Sequence, residues 1–167
     1  MVAPQSVPAR VATIGVHDWD LDCFLAALGE LEHPVVVDVR QRRGVRGPQY
    51  AWANSQRLQR ALAAAGIPYR HVRNLAPTTE LRQLQYAADD AAGVGKRSRQ
   101  TLDPGYLAGY IGHILDRFDL SELLASLPDD VTPVLLCVEA QPDACHRSLI
   151  AGRLASKHGL DVVHLCP

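Results

Sequence analysis

The 167-residue chain is 47% apolar and 21% charged, and its 17 basic and 18 acidic side chains leave a net charge of −1. This composition excludes a disordered chain, because it supplies enough apolar surface to offset the entropy of ordering. No apolar run approaches the roughly 18 residues of a membrane span, and no basic stretch followed by an apolar one marks a secretory signal. We expect a cytoplasmic protein without a membrane partner, forming one α/β domain over residues 1–167 with residues 1–10 as a flexible N-terminal arm.

Short β-branched runs alternate with amphipathic stretches in the first half of the chain. Apolar residues spaced at i, i+3 and i+4 predict helices, and continuous apolar runs predict strands buried on both faces. The predicted elements are a strand at 11–15, a helix from Asp20, a strand at 35–39, a helix from Ser55 and a strand at 67–72.

The second half continues the alternation after a less regular middle. Its predicted elements are a helix at 78–91, a basic loop at 93–99, a helix from Asp103-Pro104, a short helix at 120–127, a strand at 134–138, a helix at 145–158 and a strand at 162–165. The apolar stripe through Leu107, Tyr110, Ile111 and Ile114 is expected to form core or a subunit interface, so a homodimer is one partner hypothesis.

Strand–helix alternation is typical of a parallel sheet covered by helices. The sequence therefore predicts a three-layer Rossmann-like α/β fold with about five mostly parallel strands and helices on both faces. Ligands of such sheets bind outside the carboxyl ends of the strands. The polar residues expected to share that rim are His17, Asp38, Arg40, Asn74, Cys137, Glu139, His164 and Cys166.

Potentially reactive side chains are most concentrated in residues 136–148, which lead from a predicted strand through a proline-containing loop into a predicted helix. The residues predicted to occupy the first turn of that helix are Cys145, His146, Arg147 and Ser148, with Asp143 as the N-cap. Free backbone N–H groups and the helix dipole favour an anion there, and Arg147 adds a bidentate donor. The same field favours a thiolate at Cys145.

Three roles remain open for this segment. Cys137 or Cys145 is a nucleophile with His146 or His17 as base, or the helix start holds an anion, or a soft metal binds Cys137, Cys145 and His146 with His17 or His164 as the fourth ligand. The spacing fits no common zinc signature, and buried cysteines often serve packing alone. No dinucleotide-binding or P-loop signature is present, so the sequence names no cofactor.

The segment Cys137-x-Glu139 followed by Cys145-His146-Arg147-Ser148-Leu149 resembles the C-terminal signature of a bacterial and archaeal family, domain of unknown function 488. Similar segments are Thr13-Ile14-Gly15 followed by a histidine, Asp38-Val39-Arg40, Pro48-Gln49-Tyr50, residues 67–71 and Val162-Val163-His164. The chain departs from the family at Val16, Asp18 and residues 75–78. The resemblance implies the fold and a site at the rim, and it implies no particular reaction.

Two basic loops support an alternative hypothesis. Arginines at 40–46 are followed by Tyr50 and Trp52, and residues 96–99 add a second basic segment. Cationic side chains interleaved with aromatic ones suit a module that binds single-stranded nucleic acid. A thiol redox or metal-binding protein is the third hypothesis.

The leading hypothesis is an enzyme that acts on a small anionic substrate, a nucleotide or nucleoside-related compound, by hydrolysis or group transfer. The catalytic candidates are Cys137, Glu139, Cys145, His146 and His17, because thiols, carboxylates and imidazoles are the groups whose pKa proteins tune for such chemistry. The substrate-binding candidates are Arg147, Ser148, Asp38, Arg40 and Asn74.

Overall fold

The buried β-branched runs form one five-stranded sheet in which all neighbouring strands are parallel. The computed structural model describes residues 7–167. The strands are β1 (Arg10–Ile14), β2 (Pro34–Asp38), β3 (Tyr69–His71), β4 (Thr132–Leu136) and β5 (Asp161–Leu165), in the spatial order β3-β2-β4-β1-β5. The predicted fold class is therefore confirmed.

Helices cover both faces of this sheet. They are α1 (Leu21–Gly29), α2 (Ser55–Ala64), α3 (Thr79–Ala92), α4 (Pro104–His113), α5 (Leu120–Ala125) and α6 (His146–His158). Side chains alternate across each strand, so Val36 packs with α1 and α2 while its neighbour Val37 packs with α4, α5 and α6. The two apolar clusters give the three layers.

Capping residues define several helix ends. The Asp20 carboxylate accepts a hydrogen bond from the N–H of Cys23 at 2.8 Å, and the Asp103 carboxylate accepts one from Gly105 at 2.8 Å. Gly93 and Gly159 end α3 and α6 in the left-handed conformation, which glycine adopts without a Cβ penalty. Among residues 7–167, no helix has the length and apolarity needed to cross a membrane.

The apolar stripe of α4 belongs to the core. Tyr110 is fully buried, and its hydroxyl donates a hydrogen bond to the carbonyl of Leu75 at 2.6 Å. Ile114 is also buried, and Leu107 packs against the same cluster. Of the two expectations for this stripe, the structure shows packing within the chain.

Element boundaries differ from the predictions by a few residues. Strand β1 already includes Arg10, and the Asp161 N–H donates to the carbonyl of Ala9 at 3.0 Å, so the sheet begins inside the expected N-terminal arm. Residues 1–6 of that arm lie outside the described residues. Strand β3 has three half-buried residues at the sheet edge.

The sheet order positions the site. Strand β4 lies between β2 and β1, so the loops that follow these three strands meet at one end of the sheet. The N–H of Cys137 donates to the carbonyl of Ile14 at 3.1 Å, and the N–H of Val39 donates to that of Leu136 at 3.1 Å. Main-chain pairing therefore holds the first residues of these loops in register.

Candidate functional site

A cavity of about 470 Å³ opens at the carboxyl ends of the central strands. The loops after β1, β2 and β4 line it, together with α3 and the basic loop at 93–99. Five of the residues proposed from the sequence as catalytic meet there: Cys137, Glu139, Cys145, His146 and His17. The rule that ligands bind beyond the carboxyl ends of parallel strands places a site in this position.

Cys137, Cys145 and His146 form a buried group that we call the cysteine–histidine cluster. Each Sγ lies 3.7 Å from His146 Nδ1. His146 Nε2 lies 2.9 Å from the carbonyl oxygen of Val39, so Nε2 carries a proton and Nδ1 faces the sulfurs. The ring also packs against Tyr110, with centroids 5.3 Å apart.

The start of α6 differs from its prediction. Cys145 is the N-cap residue, with extended φ and ψ, and its side chain makes no capping hydrogen bond. Asp143 lies two residues earlier, in a 3₁₀ turn over Pro142–Ala144, and is not the cap. The proline initiates this extra turn, which shifts Cys145 out of the first helical turn and toward Cys137.

The two thiols of the cluster have pKa values shifted in opposite directions. Burial opposes ionisation of Cys145, but the hydrogen bond with Cys137 and the His146 and Arg147 charges together lower its pKa well below the usual range. Burial and the neighbouring Cys145 raise the pKa of Cys137 well above its usual range. Burial would lower the pKa of His146, but Cys145 and the contact with Val39 outweigh it and raise that pKa. Thiolate chemistry and ligation of a soft metal both suit this group.

Glu139 lies beside the cluster at the head of a buried polar chain. Its Oε2 lies 3.4 Å from Cys137 Sγ, and its Oε1 accepts a hydrogen bond from Arg99 at 3.1 Å. Arg99 also pairs with Asp89 at 2.7 Å, and Asp89 accepts a hydrogen bond from Gln85 at 2.8 Å. Burial, followed by the charge of Cys145, raises the pKa of Glu139 despite the nearby cations.

The loop after β1 approaches the Glu139 backbone closely. A Cβ on Gly15 would lie 2.0 Å from the carbonyl oxygen of Glu139, which no side chain tolerates. The N–H groups of Val16 and His17 both donate to the carbonyl of Val138, at 3.0 and 2.9 Å. Glycine after β1 therefore allows the two loops to dock.

His17 lines the cavity next to Tyr50, with ring centroids 5.2 Å apart. Its side chain is buried, and burial followed by the positive charges of Arg97 and Lys96 lowers its pKa to about 4. The imidazole is therefore neutral at neutral pH, and the lowered pKa makes it a weaker base than an ordinary histidine. The structure brings the predicted base to the cavity but disfavours its protonated form.

Cationic side chains line most of the cavity. Glu139 is the one acidic residue among the lining residues, against seven cationic ones: Arg40, Arg42, Arg46, Arg82, Lys96, Arg97 and Arg99. Arg97 lies over the ring of Tyr50 at 5.4 Å, and Lys96 lies over that of Tyr86 at 5.8 Å. The two basic loops proposed as nucleic-acid contacts thus face one cavity.

Four residues expected to bind substrate do not line the cavity: Arg147, Ser148, Asp38 and Asn74. Arg147 is fully buried, and its Nη1 and Nη2 donate to the carbonyls of Glu139 at 2.5 Å and Ala140 at 3.0 Å. The Ser148 hydroxyl donates to the carbonyl of Cys145 at 2.9 Å, and Asn74 is exposed.

Asp38 and Arg40 form a buried ion pair that shapes the loop after β2. Arg40 Nε and Nη2 donate to the Asp38 carboxylate at 2.9 and 2.7 Å, and the Tyr69 hydroxyl donates to it at 2.6 Å. Arg40 lines the cavity, but its guanidinium is held by Asp38 and by the carbonyl of Ala53. His164, one of the two histidines considered as a fourth metal ligand, is exposed and bonds Thr13 at the neighbouring strand.

The sequence analysis did not single out Arg82, Tyr86 and Tyr106, although all three line the cavity. Arg82 and Tyr86 are four residues apart on α3, so they share one helix face, and Arg82 Nη2 donates to the Tyr86 hydroxyl at 2.9 Å. The four-residue spacing predicts from the sequence that Arg82 and Tyr86 lie side by side on this helix. Nothing local in the sequence indicates that this face meets the loop after β4.

Comparison with known proteins identifies a family. The profile described as "Domain of unknown function DUF488" matches residues 20–154, which is more than half of the chain. The match includes the cysteine–histidine cluster and Glu139. No curated protein and no solved structure shows significant similarity to the chain.

Proposed function

The chain belongs to the DUF488 family, whose function is unknown, and from its site we propose that it is a cytoplasmic enzyme acting on a small anionic metabolite. The substrate binds in the cavity and is transformed by hydrolysis or group transfer at the cysteine–histidine cluster and Glu139. The observation that carries this proposal is the convergence of a strongly cationic cavity on one buried group of reactive side chains.

The charge of the cavity favours an anion. Arg40 and Arg99 are neutralised by buried carboxylates, whereas Arg42, Arg46 and Arg97 have no ion pair with an acidic residue among residues 7–167. Uncompensated guanidinium groups bind phosphate and carboxylate in a bidentate manner. A phosphorylated or carboxylated substrate would complete the charge balance.

Aromatic rings in the same cavity favour a substrate with a flat ring. Tyr86 and Tyr106 line the cavity, and Arg82 and Lys96 lie 5.7 and 5.8 Å from the centre of the Tyr86 ring. Nucleobases stack on such rings while their phosphates pair with nearby cations. The volume of about 470 Å³ falls in the range of small-molecule sites. A nucleotide or nucleoside-related compound fits these features.

The geometry suggests roles for individual groups. Arg82, Lys96 and Arg97 hold the anion, and neutral His17 lies beside it at the cavity wall. The reaction takes place at the cysteine–histidine cluster and Glu139, with the cluster acting through its thiolates or as the ligands of a soft metal. Arg147, taken from the sequence as an anion ligand, instead holds the loop after β4 through two carbonyls.

Thermal unfolding in the presence of candidate ligands tests the proposal. The panel contains nucleosides, nucleotides, sugar phosphates, inorganic phosphate and short single-stranded oligonucleotides. A ligand at about 100 times its Kd stabilises the protein by roughly 2.7 kcal/mol. We expect a shift from phosphorylated small molecules that is lost in Arg97→Gln and Arg82→Gln and retained in Arg60→Gln, an exposed position on α2 away from the cavity.

The ligand that shifts the melting temperature is then incubated with the wild type and with Cys145→Ser, and product is followed by NMR. Turnover by the wild type alone supports the enzyme. A shift from oligonucleotides alone, fading with salt, would favour the nucleic-acid module. Binding of a small anion without any turnover would contradict the enzyme proposal and indicate a binding module.

A further inference from the structure

We infer that Cys137, Cys145 and His146 bind a zinc ion, with a fourth coordination position open to the cavity. Metal binding by these three residues stands apart from the proposed function. The use of the fourth position by a water or by a donor atom of the substrate rests on that function.

The spacing of the donor atoms matches a tetrahedral zinc site. With zinc–sulfur bonds of about 2.3 Å and zinc–nitrogen bonds of about 2.0 Å at the tetrahedral angle, a ligand sulfur and nitrogen lie about 3.5 Å apart. Both sulfur-to-Nδ1 distances are 3.7 Å, and all three donor atoms lie within 4.8 Å of one another. The three donor atoms are therefore close enough together to share one ion.

The orientation of His146 supports the same assignment. A metal-bound histidine almost always donates its other ring N–H to a carbonyl or carboxylate, which fixes the tautomer. His146 Nε2 has such a partner in the carbonyl of Val39 at 2.9 Å, and Nδ1 points at the two sulfurs. Tyr110, itself fully buried, packs against the ring and limits its rotation.

The donor set also selects the metal. Two cysteine sulfurs and one imidazole suit zinc, whereas magnesium and calcium prefer oxygen ligands. Two thiolates also neutralise the doubly charged ion in a buried place. The ligands are the residue after β4, the N-cap residue of α6 and the first residue of that helix.

The coordination is incomplete on the cavity side. All three ligands line the cavity, and no other histidine, cysteine or carboxylate among residues 7–167 joins the three-residue group. His17 and His164, the two candidates for the fourth ligand, are not in it. Catalytic zinc sites have this pattern of three protein ligands and one exchangeable position, whereas structural sites are closed by four.

Metal analysis of the untagged protein tests the inference. Elemental analysis after dialysis against metal-free buffer is expected to find about one zinc per chain. Zinc should be lost in Cys137→Ser, Cys145→Ser and His146→Asn. It should be retained in Cys23→Ser and Cys166→Ser, which change the two exposed cysteines.

Cobalt substitution keeps the test decisive if a variant folds poorly. Cobalt added to chelator-stripped wild type should give thiolate charge-transfer bands and tetrahedral visible bands, and small anions that reach the fourth position should shift the visible bands. A Cys137–Cys145 disulfide, copper in place of zinc, or zinc retained in all three cluster variants would overturn the inference. Zinc binding without any anion-induced stabilisation would overturn the proposed function and leave the metal site standing.

Discussion

His17 is expected to make the fold sensitive to mild acid. Its pKa is lowered from 6.5 to about 4, first by burial and then by Arg97 and Lys96. The unfolded chain binds a proton near pH 6.5 and the folded chain only near pH 4, so stability falls as the pH drops through this window. Between about pH 7.5 and about pH 5 the difference in proton binding is worth roughly 2 kcal/mol.

Urea unfolding of the wild type and His17→Gln at both pH values measures this contribution. Carboxylates titrate in both proteins, so we compare how much free energy of unfolding the wild type and the variant each lose on acidification. We expect the wild type to lose roughly 2 kcal/mol more than the variant on acidification. Equal losses would refute the argument, because His17 would then have an ordinary pKa in the folded state.

Four further outcomes follow from contacts described above. Gly15→Ala places a Cβ 2.0 Å from a backbone carbonyl and should lower the free energy of unfolding by at least ~3 kcal/mol in urea titrations. Gly152→Ala, exposed on α6 with nothing within 4 Å, should raise it by ~0.5–1 kcal/mol. Asp38→Asn leaves Arg40 buried without its ion pair and should cost about 3–5 kcal/mol in the same assay. Arg147→Met should lower the free energy of unfolding by at least ~2 kcal/mol and leave anion-induced thermal shifts unchanged. Loss of those shifts in a variant of unchanged stability would instead show that Arg147 binds the anion.

Much of the fold follows from local patterns in the sequence. Continuous runs such as residues 35–39 indicate strands buried on both faces, and Asp103-Pro104 marks the start of α4 within one residue. Strand order does not follow from local patterns, because it depends on how buried faces of strands far apart in the sequence pack together. The placement of β4 between β2 and β1 has no local sign in the chain.

The candidate site was predictable where a residue lies within three residues of the end of β1 or β4. Cys137, Glu139 and His17 meet as the rule for parallel sheets requires. Arg147 could not be placed in this way, because its direction depends on carbonyls that turn inward in the loop after β4. The sequence does not distinguish a basic residue at a helix start that faces solvent from one that donates hydrogen bonds to a neighbouring loop.

The order of strands also bears on how the chain reaches this structure. Within residues 7–167, β1 pairs with β4 and β5 alone, and β2 joins the sheet centre only through β4. During synthesis β1 therefore has no partner, and β2 and β3 form an isolated pair, until residues 132–136 have emerged. Such distant parallel pairings form slowly and leave apolar strand edges uncovered meanwhile. We therefore expect the sheet, and with it the candidate site, to form only after β4 has been synthesised.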